Sequence, residues 1–357
     1  MEKYLRHCLD SLIVPNMDKV EVLVINDGSK DSSSAIGHEY QDKYPQTFRV
    51  IDKENGNYGS CVNRGLKEAK GKYVKVLDAD DSFESENFSR FISKLETVND
   101  DLILTDFDTV NEKGKVTDTS AINENLNIPV ESTISFEFFS QTNPKYLAHM
   151  HEFTYKKSVF VGLGYKQLEG ISYTDIQWCF EPISNVKTIY YIPMVIYKYL
   201  MGRQGQTMEN QGKHIPQLIA VVNRMITFYS INAQSEIVYR TYLTFQIVHQ
   251  LKNIYEMGLY RNAFPIKVLI EFDKNLAKFP YFYYLSNRIV TNKMLLIKMW
   301  RKDGKYHLPF WFRITRTSVI LIKKRIKQIL KSCLFLNKVD TLKKKRWKRK
   351  KKNSNLS

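Results

Sequence analysis

Cysteine is scarce in this chain of 357 residues: Cys8, Cys61, Cys179 and Cys333 stand far apart, with no CxxC pair. That spacing argues against a disulfide framework or a thiolate zinc site, and it fits a reducing compartment. No apolar run reaches the length that a bilayer-crossing helix needs, about 20 residues. No charged-then-apolar leader opens the sequence, so the expectation is a protein kept inside the cell. Acids are nearly absent from the C-terminal part. From Asn287 onward 23 Lys and Arg face only Asp303 and Asp340, whereas the preceding residues carry 31 Lys and Arg against 35 Asp and Glu. The net charge of +17 therefore belongs to a tail.

What is present reads as a folded chain of two domains, or of one domain with a substantial extension. An apolar fraction of 43% and a charged fraction of 25% exclude wholesale disorder. From Val20 strand and helix signals alternate. "VEVLVIN" (20–26), "FRVID" (48–52), "KYVKVLDAD" (72–80) and "DLILTDF" (101–107) have the length and apolarity of buried strands. "DSSSAIGHEYQDKY", "SCVNRGLKEAKG" and "ENFSRFISKLETV" between them have helical character, the second closed by Gly71. Such alternation predicts a largely parallel sheet covered on both faces, with ligands at the carboxyl ends of its strands. From about Gly212 the pattern turns helical.

Two acidic clusters fall at predicted strand ends, "NDGS" (26–29) and "DADD" (78–81). The first alone is ordinary turn chemistry, or else Asp27 offers a carboxylate to a base or a ribose. The second crowds Asp78, Asp80 and Asp81 at the end of an apolar run, where like charges raise one another's pKa unless a cation intervenes. Alternate residues of an extended segment point the same way, so Asp78 and Asp80 can share a ribose and a divalent cation. A solvated turn leaves the buried-looking strand before it unexplained. In "ENGNYGSCVNRGL" (54–66) small residues precede a helix, where free N–H groups favour a phosphate or a nucleotide edge; the alternative is a flexible loop. The segment has neither the GxGxxG nor the GK[ST] spacing. His149 and His151 form an i, i+2 pair with no third ligand in view, which reads as structural.

In this order and spacing the elements resemble the family-2 glycosyltransferases, inverting enzymes with a GT-A nucleotide-diphospho-sugar fold. The resemblance runs from "EKYLRHCLDSL" through "VLVINDGSKDSS" and "ENGNYGSCVNRGLKEAKGKYVKVLDADD" to "EGISYTDIQWCFEPI" and "YKYLMGRQGQTM", over roughly residues 1–210. It implies an α/β fold with a Rossmann-like, mostly parallel sheet; beyond it the residue pattern itself reads as a helical region over 211–310 and a basic amphipathic helix with a disordered tail over 311–357. It also implies a UDP-linked sugar donor, Mn²⁺ or Mg²⁺, and a saccharide or lipid-linked acceptor in cell-surface polysaccharide synthesis. On the resemblance Asp27 contacts the base, Asp78 the ribose or metal, and Asp80 the metal. Gly56 and Asn63 join the donor contacts. Arg203 in "GRQGQT" stands on a glycine-flanked loop, either to clamp the departing diphosphate with its guanidinium or as part of a plain surface loop. Asp175 in "SYTDIQW" is the general base, with Thr174 where an acid often precedes it. No QxxRW-like motif is present, which favours addition of single sugars. The family normally opens with an apolar strand before the helix that begins here at Glu2. Without that strand both of its neighbours lose ladder partners.

In "TSVILIKKRIKQILKSCLFL" Val319, Ile322, Ile326, Ile329, Leu330 and Cys333 recur at helical spacing, with Lys323, Lys324, Lys327 and Lys331 largely on the other face. That pattern reads as a helix on an anionic membrane surface, or as one docked on the protein's own core. Nucleic acid is disfavoured because no recognisable module accompanies the charge. The expected location is the inner face of the plasma membrane. The competing reading is a non-catalytic membrane- or nucleic-acid-binding protein on a decayed glycosyltransferase fold.

Overall fold

A computed structural model of the chain describes residues 1–206, 211–232, 237–261, 263–289 and 297–301. The predicted amphipathic segment and tail over 311–357 lie outside the described residues. The chain divides into two units, Met1–Ser286 and Asn287–Ser357, and the first carries every element discussed below.

The first half alternates as the sequence predicts, through α1 (Glu2–Asp10), β1 (Val22–Asp27), α2 (Ser33–Lys43), β2 (Phe48–Lys53), α3 (Asn57–Glu68), β3 (Tyr73–Val74) and β4 (Ser82–Phe83). Then come α4 (Ser85–Thr97), β5 (Leu102–Val110), β6 (Val116–Ser120), α5 (Ile122–Asn125), β7 (Thr133–Ser135), α6 (Phe136–Thr142), β8 (Phe153–Lys156), α7 (Asp175–Phe180) and β9 (Thr188–Leu200). Helices α8 (Gln211–Asn232), α9 (Ile237–Glu256), α10 (Ile266–Leu276) and α11 (Pro280–Ser286) complete this unit. Local chemistry sets several boundaries. The Glu84 carboxylate accepts the Asn87 N–H at 2.8 Å and starts α4. Gly71 does not close α3. The chain leaves the helix at Ala69 in an extended conformation, and the Glu21 carboxylate takes up the Lys70 and Gly71 N–H groups instead.

The strands form a two-stranded sheet, β1–β2, and a separate seven-stranded sheet in the order β3-β8-β5-β9-β4, with β6 beside β5 and β7 beside β9. The largely parallel sheet is realised only in part. Pairs β1/β2 and β5/β9 are parallel, while β3/β8, β4/β9, β5/β6, β5/β8 and β7/β9 are antiparallel. The antiparallel pairs arise because the later strands fold back onto β5, with β8 entering between β3 and β5. The core sits where α1 and α4 cover β5 and β9, and it includes Leu5, Leu9, Phe91, Ile103, Ile192 and Ile196. Each such side chain contributes about 1.5–3 kcal/mol by leaving water.

The division between the sheets falls between β1 and β3. β1 is paired by β2 alone and β3 by β8 alone. The predicted strand over 72–80 is correspondingly short: only Tyr73 and Val74 are laddered, and the chain beyond them runs without a partner. All six residues of β1 are only half-buried despite their apolar character. The Val22 N–H turns toward β2, bonding Thr47 O at 2.7 Å, so the alternation of a strand turns Leu23 and Ile25 toward the open edge. We therefore expect the Leu23 and Ile25 amides to exchange with deuterium at least about tenfold faster than Val24 and the β5 amides. Residue-resolved hydrogen exchange checks this; equal protection along β1 would mean that the edge is covered.

Candidate active site

The DADD turn is held from below by one residue of β9. Tyr197 is fully buried, and its hydroxyl donates to Asp81 Oδ2 at 2.6 Å while accepting the Asp78 N–H at 3.1 Å. The other Asp81 oxygen accepts the Leu200 N–H at 2.7 Å. Asp81 is thus the structural member of the cluster. The two others at alternate positions are left for the site. Asp80 forms an ion pair with Arg203, whose guanidinium also lies 5.9 Å from the Tyr4 ring centre on α1. Asp78 has no cation of its own. Burial, then Asp80, then Asp175 push its carboxyl well above the ordinary range, against the Tyr58 hydroxyl and Arg203. Asp81 is pushed up as well, by burial and by Asp78. The crowding in the sequence is therefore real in the fold, and Arg203 answers it for one carboxylate.

Asp175 opens α7, directly after the fully buried Thr174. Its charge raises the pKa of Asp78, Tyr58, Tyr173 and Tyr199, and burial raises its own carboxyl. Tyr173, just before Thr174, holds a left-handed backbone at φ 65°. The structure thus brings Asp78, Asp80, Arg203 and Asp175 together from three distant stretches of sequence.

Asp27 and Gly56 meet elsewhere, at the end of β1. The Asp27 carboxylate accepts from the Gly56 N–H at 2.9 Å and the Asn57 N–H at 2.8 Å, and it pairs with the Lys53 ammonium. Burial opposes ionisation there, but these bonds outweigh it and hold the carboxyl below its ordinary value. Lys53 is fixed in turn by Ser60 Oγ at 2.9 Å. Gly28 supplies the turn after Asp27 at φ 69°, a conformation that favours glycine. Asn63 faces away from this loop, its amide bonded to Gln167 and Glu169.

Tyr197, Lys53 and Tyr58 are the members that sequence reading misses. Tyr197 carries a faint signal, since alternation in "YYIPMVIYKYL" marks it as inward-facing, but nothing local says which turn it meets. The histidine pair sits on a short turn, not a strand. His151 stacks on Tyr199 with ring centres 4.4 Å apart and meets a tilted Tyr197 ring at 4.6 Å, and burial lowers it to about 3, so it is neutral.

Mixed sheets with helices on their faces, and an acidic turn at the mouth of the crevice, define a nucleotide-sugar transferase fold of the GT-A class. Residues 1–160 match the model of glycosyl transferase family 2. The uncharacterized glycosyltransferase YibD of Escherichia coli K12 is 27% identical over 240 residues, covering 61% of this chain and 67% of YibD. The minor teichoic acid biosynthesis protein GgaB of Bacillus subtilis is 34% identical over 95 residues, covering 26% of this chain and 11% of GgaB. The chain spans 24% and 30% of the length of two other Bacillus subtilis relatives. Among solved structures, Staphylococcus aureus TarS residues 1–349 with UDP-GlcNAc aligns at TM-score 0.50 and 17% identity, over 76% of this chain and 80% of that solved chain. That likeness shows the fold.

The raised Asp78 has a measurable sign. Its native carboxyl keeps a proton that the unfolded chain has already released, so its contribution to stability falls as pH rises from the ordinary carboxylate range. Asp78→Asn removes that penalty. In divalent-free buffer we expect the variant to melt above the wild type, by a margin that grows between about pH 5 and pH 8. A margin that is constant with pH would place Asp78 in a solvated setting.

Proposed function

We propose that the protein is an inverting glycosyltransferase that moves a sugar from a nucleotide diphosphate, UDP-linked, to a hydroxyl of a cell-surface polysaccharide or its lipid-linked precursor. The observation that carries this reading is the Asp80–Arg203 ion pair at the DADD turn, beside Asp78, whose carboxyl the Asp175 charge also raises. The name of GgaB supports a wall-polymer acceptor, and the donor solved with TarS makes UDP-GlcNAc the first probe.

Asp175 is the general base in this reading. Its raised carboxyl makes it a stronger proton acceptor than a solvated aspartate. As the acceptor oxygen attacks the anomeric carbon from the face opposite the diphosphate, its proton passes to Asp175 and the bonding pair leaves with the diphosphate. Arg203 is placed to receive that developing charge once it leaves Asp80. Asp27 and Lys53 present an acceptor and a donor side by side, which suits the imide N–H and carbonyl of a uracil, provided the pair opens.

The donor set fits a hard divalent cation. Asp78 and Asp80 supply oxygen ligands only, and a positive group already sits on Asp80. Among the described residues no cluster of three or more His, Cys, Asp or Glu is arranged to hold a metal, so the donor's own phosphate oxygens would complete the shell. Mn²⁺ or Mg²⁺ bound there would neutralise the diphosphate. The basic segment beyond Asn287 is proposed to hold the enzyme at the cytoplasmic face of an anionic membrane; among the described residues no helix is long and apolar enough to cross one. The divided sheet favours one other reading, a binding protein without turnover, which sugar transfer in a donor panel with membrane extract would exclude.

Asp80→Asn should weaken UDP binding in the presence of Mn²⁺ by about tenfold or more, with the melting transition retained, as read by calorimetric titration. Unchanged binding would sink the D-x-D assignment. Asp175→Asn should depress kcat by about 10²–10⁴-fold and leave donor affinity within about twofold, because a base acts in the transition state. Equal loss of donor binding would move the base elsewhere.

A further inference from the structure

One face of the α3 segment meets a single stretch of chain across the crevice. The Gly56 carbonyl accepts the Gly170 N–H at 2.8 Å. At Gly59 a Cβ would stand 1.9 Å from the Leu168 carbonyl oxygen, so only glycine admits that backbone. The Asn63 side chain accepts the Gln167 N–H at 2.8 Å and donates to the Gln167 carbonyl at 2.9 Å, pairing with backbone as a neighbouring strand would. Its amide also donates to Glu169 Oε1 at 2.9 Å. Positions 59 and 63 lie one turn apart on the helix, so the stripe is continuous.

The contact continues to the base. The Gln167 side chain is oriented by the Tyr165 hydroxyl at 2.8 Å, and its Nε2 donates to the Thr174 carbonyl at 2.8 Å and to Thr174 Oγ1 at 3.0 Å. Thr174 is the residue before Asp175. Gln177, also fully buried, accepts the Leu168 N–H at 2.9 Å and donates to the Lys166 carbonyl at 2.9 Å, tying α7 to the same stretch.

We infer that Gly59 and Asn63 are positioning residues: through Gln167 and Thr174 they fix where Asp175 stands. The small-residue motif that reads in sequence as a phosphate loop thus also docks the segment bearing the proposed base. The catalytic part of this inference rests on the transferase reading above; the mechanical coupling does not.

The test uses Gly59→Ala, which must displace the Leu168 backbone, and Asn63→Ala, which removes the side-chain bonds to Gln167 and Glu169. Hydrogen exchange by mass spectrometry should show residues 165–178 exchanging about tenfold faster in both variants, with β5 unchanged. In the full-length protein UDP affinity with Mn²⁺ should stay within about twofold while kcat falls about 10–100-fold, since small misplacements of a reacting group are costly. Unchanged exchange over 165–178 overturns the coupling. Turnover and UDP affinity falling in equal proportion would reduce the role to general stability and overturn the positioning. A wild type that transfers no sugar from any donor defeats the transferase reading instead, and the exchange measurement still decides the coupling.

Discussion

Everything at the mouth of the crevice depends on the Tyr197 hydroxyl. It is a buried polar group that must find partners, and it finds them in the Asp81 carboxylate and the Asp78 amide. That pairing turns the chain sharply after Leu77 and keeps Asp81 out of the site, so the alternate carboxylates Asp78 and Asp80 face the crevice. Since Tyr197 sits in β9, and β9 lies against β5, the turn is referenced to the most deeply buried strand pair of the fold. Removing the hydroxyl would leave Asp81 buried with one bond fewer, a cost of about 1–3 kcal/mol.

Two of the three carboxylates proposed to meet ligands are already paired with a cation. Asp27 is neutralised by Lys53, and Asp80 by Arg203. Each pair stabilises an anion that would otherwise be costly in a half-buried site, and each must loosen before its carboxylate can hold anything else. Asp78 differs, because crowding leaves it without a cation of its own and makes it the point where added positive charge relieves most repulsion.

Much of this was legible in the sequence. The strand–helix alternation, Asp27 and Asp80 at their turns, and Arg203 on a glycine-flanked loop follow from local pattern and spacing. What escaped was whatever depends on register between distant strands. Tyr197 reads as one inward tyrosine among several, and only the β5/β9 pairing shows which turn it serves. Lys53 reads as the end of a strand. Asn63, expected beside the donor, spends its amide on Gln167, a residue about a hundred positions away whose approach nothing local announces. The antiparallel strands failed for the same reason: direction of return is not written in the apolar pattern.

The gap between β1 and β3 also has a mechanical meaning. A hydrogen-bonded ladder resists shear, and here no rung crosses from the lobe of β1, β2, α2 and α3 to the rest of the sheet. Stiffness between the two parts rests on scattered bonds, the Gly170 N–H to the Gly56 carbonyl among them. Helix α1 is one tie, through the Arg6–Glu39 ion pair and the Tyr40–Asp10 hydrogen bond on one side and the Phe83 N–H to Ser11 on the other. The α3 stripe against residues 167–170 is the second. The lobe carrying Asp27 is thus compliant along the direction in which an intact sheet would be rigid, and its alignment with the DADD turn is set by two small clamps.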